Sequence, residues 1–348
     1  MQVTPKIIAG PCSAESREQV LSTAKQLASG RIDFFRSGIW KPRTRPGAFE
    51  GAGNVALDWM LEARDKYGLK ICTEVANPEH VEAVLKKGFD MVWVGARSTA
   101  NPFTVQEISE SLKGVDIPVM IKNPTNPDLK LWIGAVERFQ NNGIRDISVI
   151  HRGFSVYEKQ RYRNNPNWQI ALDLKKELPN MPLLCDPSHI SGRRHLLFDI
   201  SQKAMDLHYD GLMIETHCNP DKALTDSKQQ ISPKELFELL EKLKLRSRGE
   251  FMDDQLREFR LELNEIDRNL IDLLKKRMDI SEQIGSYKKD LNRIIFQKSI
   301  WEKAFMDNVN NALDVNLSEE FASQLFKLIH QESIVKQSKI FLNPDEED

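Results

Sequence analysis

Asp210-Gly211-Leu212-Met213-Ile214-Glu215 decides how the first two thirds of this chain fold. The run is short and apolar, does not alternate polar with apolar residues, and ends on a carboxylate. That pattern suits a strand buried on both faces, as in a parallel sheet. Seven similar runs precede it, at Ile7–Ala9, Asp33–Ile39, Lys70–Val75, Met91–Gly95, Val119–Lys122, Asp146–Ile150 and Leu183–Asp186. Amphipathic segments follow them at Glu15–Leu27, Asn54–Lys66, Pro78–Lys87, Thr104–Leu112, Asp128–Asn141, Trp168–Leu178, Arg194–Leu207 and Pro233–Leu243. Several open on a cap or proline and close near glycine, as at Ser232-Pro233 and Lys87-Gly88. Eight such units predict an α/β chain folded as a (β/α)8 TIM barrel, with an open doubly wound sheet as the rival.

Beyond Leu245 the pattern changes. Residues 247–252 read as a linker between a barrel over 1–246 and a helical domain over 253–340, with an acidic tail at 341–348. From Asp253 to about Lys289 there is no proline, and Leu256, Phe259, Leu263, Ile266, Leu270, Leu274, Ile280, Ile284 and Tyr287 keep near-helical spacing. Such a helix would extend about 50–55 Å at 1.5 Å per residue. So few residues cannot bury it, so an intertwined homodimer is expected, completed by helices at Ser299–Asn311 and Ser318–Lys336.

The net charge of −2 offers no basic face for nucleic acid. No run approaches the roughly 18 apolar residues of a membrane span, and Met1–Lys6 lacks an export signal core. Four cysteines without a CxxC pair are too few for a disulfide scaffold, so a reducing cytoplasm is expected. The chain begins almost at the first strand, which reads as a barrel with no regulatory domain ahead of it.

Four residues at or near strand ends, Cys12, His189, Glu215 and Asp226, form a candidate metal site. A thiolate, an imidazole and two carboxylates suit Mn, Fe, Co or Zn better than Mg or Ca. A lone buried Cys is usually a small core hydrophobe, but Cys12 stands between Pro11 and Ser13 directly after a strand. Arg36, Lys41, Arg43, Arg97, Lys122 and Arg152 also stand at or near strand ends, enough fixed cations for a multiply anionic substrate.

Ala9-Gly10-Pro11-Cys12-Ser13, Lys41-Pro42-Arg43-Thr44, Gly95-Ala96-Arg97, Ile121-Lys122-Asn123, His151-Arg152-Gly153, Asp186-Pro187-Ser188-His189 and the opening hexapeptide together resemble 3-deoxy-D-arabino-heptulosonate 7-phosphate (DAHP) synthases, over residues 5–245. The resemblance implies a metal-dependent condensation of phosphoenolpyruvate with erythrose 4-phosphate. It implies that Arg97 and Arg152 hold the phosphate of phosphoenolpyruvate, with Lys41 and Lys122 near its carboxylate and Arg36 in support. Arg43 and Thr44 would take the sugar phosphate. The related 3-deoxy-D-manno-octulosonate 8-phosphate synthases typically carry Ala-Asn-Arg-Ser where this chain has Pro42-Arg43-Thr44, which favours the four-carbon sugar.

Residues 253–340 resemble all-helical chorismate mutases through Arg260, Ile266-Asp267, Leu273-Leu274-Lys275-Lys276-Arg277, Ile284-Gly285, Lys288, Leu325-Phe326-Lys327-Leu328-Ile329, Ser333 and Gln337. By that pattern Arg277 grips the substrate carboxylates, joined by Arg260 from a partner chain. Ser333 assists, and Lys288 and Gln337 donate to the ether oxygen. Gln297 stands where relatives often have an acid, Ile300 where they often have an arginine, and Trp301 and Glu302 near a usual glutamate contact. Chorismate or prephenate bound on the helical dimer is expected to inhibit the barrel as well, and the alternative is a helical unit that serves only dimerisation and regulation.

Overall fold

The computed structural model describes residues 4–41, 47–157, 161–247 and 253–342. Two compact units divide the chain, Met1–Arg248 and Gly249–Asp348.

In the first unit eight described parallel strands close into a barrel in chain order. They are β1 (Lys6–Gly10), β2 (Phe34–Arg36), β3 (Ile71–Val75), β4 (Met91–Val94), β5 (Val119–Lys122), β6 (Ile147–His151), β7 (Leu183–Cys185) and β8 (Gly211–Glu215). Closure is made by β1 on β8, in register from Lys6↔Gly211 to Gly10↔Glu215. Helices α1 (Arg17–Leu27), α2 (Val55–Tyr67), α3 (Pro78–Lys87), α4 (Ala96–Thr99), α5 (Pro102–Ser111), α6 (Leu129–Asn141), α7 (Trp168–Glu177), α8 (Pro187–Ser191), α9 (Leu197–Asp206) and α10 (Pro233–Lys242) follow the strands.

The continuous apolar runs are explained by two cores. Ile8, Phe34, Cys72, Met91, Trp93, Met120, Ile150, Leu184 and Met213 fill the barrel interior. Their strand neighbours, such as Ile7, Ala9, Val92 and Val94, pack outward with residues of the helices. Helix ends follow local chemistry: Asn77 caps α3 ahead of Pro78, and Gly88 ends it with φ 66°. Ser232 and Glu235 form a reciprocal capping box at α10.

Two helices were not anticipated. The segments Ala96–Thr99 and Pro187–Ser191 are helical and carry Arg97 and His189. Four or five residues hold too little periodicity to read. The segment expected as one helix at Arg194–Leu207 begins instead with a 3₁₀ turn, Arg194–Leu196. The β2 strand is shorter than the expected Asp33–Ile39 run.

In the second unit α11 (Asp254–Asp290), α12 (Lys298–Asp314) and α13 (Glu319–Leu342) pack with α13 against both others. The nine apolar residues of the α11 stripe are 39–66% exposed in the single chain. The acidic tail lies outside the described residues from 343 onward.

His151 at the end of β6 is fully buried, with Nε2 2.5 Å from the Pro166 carbonyl and Nδ1 2.9 Å from the Tyr209 hydroxyl. Burial pulls its pKa down to about 4. The ring is neutral in the folded chain while the unfolded chain takes up a proton below about pH 6.5, so stability falls as pH drops from 6.5 towards 4. The expected loss from this group is about 3 kcal/mol. Urea denaturation at the two pH values should show His151→Phe losing less stability than the parent by about that amount; equal losses contradict this assignment.

Candidate active site

Barrel closure sets Cys12, just past β1, beside Glu215, the last residue of β8. One ligand atom from each of Cys12, Glu215 and Asp226 lies within 4.8 Å of the others, with Cys12 Sγ 3.5 Å from Asp226 Oδ2. Asp226 adopts φ 47°, which an Asp tolerates better than most residues. His189, on α8, approaches this group through Nε2, 3.8 Å from Glu215 Oε1. Its Nδ1 lies 2.8 Å from Asp186 Oδ2. A carboxylate there draws the ring proton to Nδ1 and leaves the Nε2 lone pair facing the cluster, the outer-shell arrangement of a metal-binding imidazole.

Asp186 serves three groups on two residues at once. Its Oδ1 accepts the His189 backbone N–H at 3.0 Å, capping α8. Its Oδ2 faces the imidazole and accepts Lys122 Nζ at 2.7 Å. Burial would raise its pKa, but His189 and Lys122 hold it well below the usual range. Burial pulls His189 below the ordinary imidazole value, favouring the neutral ring. Burial, reinforced by Glu215, pushes the Cys12 thiol up to about 12. Burial alone would raise Asp226 too; His189, Arg163 and Lys41 outweigh it and hold the carboxyl well below its usual range.

A cavity of about 500 Å³ opens at these strand ends. Lys41, Arg97, Lys122, Arg152 and Arg163 line it together with His189 and Asp226. A Cβ at Gly38 would meet the Cys12 carbonyl at 2.8 Å and Lys41 Nζ at 2.7 Å, so a side chain there would press on the Cys12 backbone and displace the Lys41 ammonium. Arg152 is buried, which lowers its pKa to about 10 and leaves it charged near neutrality.

Arg36 is placed differently from the other cations. It is 1% exposed and does not line the cavity. Nη1 lies 3.3 Å from Glu215 Oε1, and Nη2 donates to the Cys12 carbonyl at 3.0 Å. Its guanidinium also stacks over Trp93, 4.8 Å from the ring centroid. Arg43 and Thr44 lie outside the described residues.

Sequence reasoning missed Gln229, Gln230, Asp186 and Arg163. Gln229 Nε2 donates to Glu215 Oε2 at 2.6 Å, and the Cys12 N–H donates to Gln230 Oε1 at 2.9 Å. Arg163 Nη1 donates to Asp226 Oδ1 at 2.9 Å. Nothing in their residue types sets these amides and the loop arginine apart from solvated surface groups.

In the helical unit, Arg277 Nη1 donates to Ser333 Oγ at 2.6 Å, and Lys288 Nζ donates to the Ile295 carbonyl at 2.5 Å. Ser333 and Gln337 are buried on α13. Arg260 is exposed on the same helix as Arg277, 17 positions earlier; at 1.5 Å per residue that is about 25 Å away. Gln297 is the N-cap residue of α12 and makes no side-chain cap bond. Trp301 lies tilted against His330, ring centroids 5.2 Å apart, and Phe296 lies 5.8 Å from the same imidazole.

Residues 3–248 match the model of the DAHP synthetase I family. The chain belongs to that family. Residues 259–338 match chorismate mutase type II, so the chain joins a DAHP synthase domain to a chorismate mutase domain. A phospho-2-dehydro-3-deoxyheptonate aldolase of Thermotoga maritima is 33% identical over 238 residues, covering 68% of each chain. A 2-dehydro-3-deoxyphosphooctonate aldolase of Francisella tularensis subsp. holarctica is 25% identical over 258 residues, covering 68% of this chain and 90% of the relative. The crystal structure of the Thermotoga maritima DAHP synthase matches with a TM-score of 0.61 at 31% identity, over 68% of this chain and 67% of that one. No described helix is long and apolar enough to cross a membrane.

The Arg36–Glu215 pair carries a stability prediction. Removing one partner strands a buried charge, which costs about 3–5 kcal/mol. Arg36→Met should lower the unfolding free energy of the barrel by that amount in urea; a loss below about 1 kcal/mol would show that the pair is not needed.

Proposed function

We propose that the barrel condenses phosphoenolpyruvate with erythrose 4-phosphate around one divalent cation of the Mn, Fe, Co or Zn type, and that the helical unit rearranges chorismate to prephenate as a homodimer. The observation that carries the barrel reading is the single cavity in which five basic side chains converge on His189 and Asp226.

The donors fit such a cation. Sulfur, imidazole nitrogen and two carboxylates suit a borderline divalent ion, and Cys12, His189, Glu215 and Asp226 would hold it. When bound, the ion would supply Lewis-acid polarisation of the sugar aldehyde oxygen. The chain's own residues do the remainder. Arg97 and Arg152 hold the phosphate of phosphoenolpyruvate by charge-assisted, forked hydrogen bonds. Lys41 and Lys122 face its carboxylate, and Arg43 and Thr44 take the phosphate of the sugar. Fixing both anions brings C3 of phosphoenolpyruvate onto the aldehyde carbon of the sugar, a gain of orientation and of preorganised charge. As the C3–carbon bond forms at the expense of the enol double bond, the aldehyde oxygen takes up a proton, water adds at C2 and phosphate leaves by C–O cleavage. Arg36 acts from behind the ligands, on Glu215 and the Cys12 carbonyl, rather than on substrate. The Lys41-Pro42-Arg43-Thr44 stretch favours erythrose 4-phosphate over arabinose 5-phosphate, although octulosonate aldolases are among the relatives.

In the helical unit Arg277 and Ser333 hold one carboxylate, and Arg260 of the partner chain the other. Lys288 and Gln337 donate to the ether oxygen, with Gln297 beside them. The exposed α11 stripe supports the dimer, since a single chain leaves it in water. Trp301 and Ile300, in place of polar substrate contacts, favour a second reading in which chorismate or prephenate binds there and inhibits the barrel. The unpaired cysteines suit a cytoplasmic protein.

Assay of both reactions before and after chelation tests the reading. Synthase turnover with erythrose 4-phosphate should be lost and return with added Mn, while prephenate formation persists. A synthase indifferent to chelation, or one that accepts only arabinose 5-phosphate, contradicts the barrel assignment. Leu263→Glu with Leu270→Glu should convert the dimer to monomer in sedimentation velocity and reduce mutase turnover by more than 100-fold. A fully active monomer contradicts the shared site.

A further inference from the structure

The segment between β6 and α7 carries two neighbouring side chains, Arg163 and Asn164, that bond to different parts of the barrel site. Asn164 is 5% exposed and both of its amide atoms are engaged. Its Oδ1 accepts Arg152 Nη1 at 2.9 Å, and its Nδ2 donates to the His189 carbonyl at 2.6 Å. Arg163 Nη1 donates to Asp226 Oδ1 at 2.9 Å and to Gln229 Oε1 at 2.6 Å. Gln229 in turn donates to Glu215.

The backbone that presents this pair is fixed on both sides. Phe154 and Asn165 exchange backbone hydrogen bonds at 2.8 and 2.9 Å. The Arg163 and Asn164 N–H groups donate to the carbonyls of Ser191 and Ile190, immediately after His189, at 3.3 and 3.2 Å. A Cβ on Gly192, which has φ 65°, would lie 2.5 Å from Arg163 Cβ, so that glycine lets the two segments approach.

We propose that Arg163 and Asn164 are positioning residues that hold the phosphate-clamp arginine, Arg152, in register with the metal-ligand set. The inference rests on the functional reading above. Arg152 has a long side chain whose buried guanidinium would lose its side-chain acceptor without Asn164, which loosens the clamp and weakens ground-state binding of phosphoenolpyruvate. Asp226 is a loop carboxylate, and Arg163 fixes the direction in which it faces. Outer-shell partners of this kind alter metal affinity by about 10–100-fold.

The test uses the full-length protein, with Mn affinity measured by competition with a fluorescent chelator and steady-state kinetics for both barrel substrates. Arg163→Gln should raise the Mn dissociation constant by about 10-fold or more, and Arg163→Lys, which keeps a cation on Asp226, should recover most of that loss. Asn164→Ala should raise KM for phosphoenolpyruvate by about tenfold while kcat and KM for erythrose 4-phosphate stay within about threefold. Arg163→Gln binding Mn as tightly as the parent, or folded Asn164→Ala with an unchanged phosphoenolpyruvate KM, overturns the proposal. If Asn164→Ala does not fold, the half-exposed Arg163 variants decide alone. A parent protein that fails to bind Mn or to turn over both substrates sinks the functional reading itself; an active parent with inert variants sinks only the positioning role.

Discussion

The ladder between β1 and β8 is the constraint on which the barrel site depends. Pairing Gly10 with Glu215 brings together segments some two hundred positions apart and leaves Cys12 beside the last carboxylate of the final strand. A sheet left open at that edge would keep the two apart. Closure also turns all eight strand ends toward one rim, the geometry that a site assembled from many short contributions requires.

Assembling so many charges in a buried place is costly unless each is answered. The barrel does this with a continuous set of hydrogen bonds. Arg36 answers Glu215 and the Cys12 carbonyl from below. Asp186 answers Lys122 and His189 together. Gln229 and Arg163 complete Glu215 and Asp226. These partners fix the direction of the candidate ligands and of Lys122; Arg36, Asp186 and Gln229 do so from outside the cavity lining, and Arg163 from within it. A cation joining Cys12, His189, Glu215 and Asp226 would be the last member of that set.

Much of this was legible in the residues. The strands could be read because both of their faces are buried, so the apolar runs do not alternate. The cap at Ser232 and the stop at Gly88 followed from elementary backbone chemistry. The short helices α4 and α8 could not be read, although they carry Arg97 and His189, because a single turn has no hydrophobic period. Arg36 illustrates a different limit. A cation at a strand end suggests contact with an anionic substrate, but whether it points into the cavity or under it depends on strand tilt, which residue type does not encode. Gln229, Asn164 and Arg163 gain their roles from loops folded back over the mouth, and polar loop residues look alike until the loop is placed. In the helical unit the apolar stripe was legible, and its exposure in one chain follows from there being too few residues in the other two helices to cover a 37-residue helix.

The most direct test of the central claim is an anomalous-scattering map of crystals grown with Mn. One peak should lie within about 2.0–2.6 Å of donor atoms from Cys12, Glu215, Asp226 and the Nε2 of His189, with the imidazole drawn in against its Asp186 support. A strong peak elsewhere in the barrel, or no peak with Cys12 and His189 remaining apart, would contradict the account.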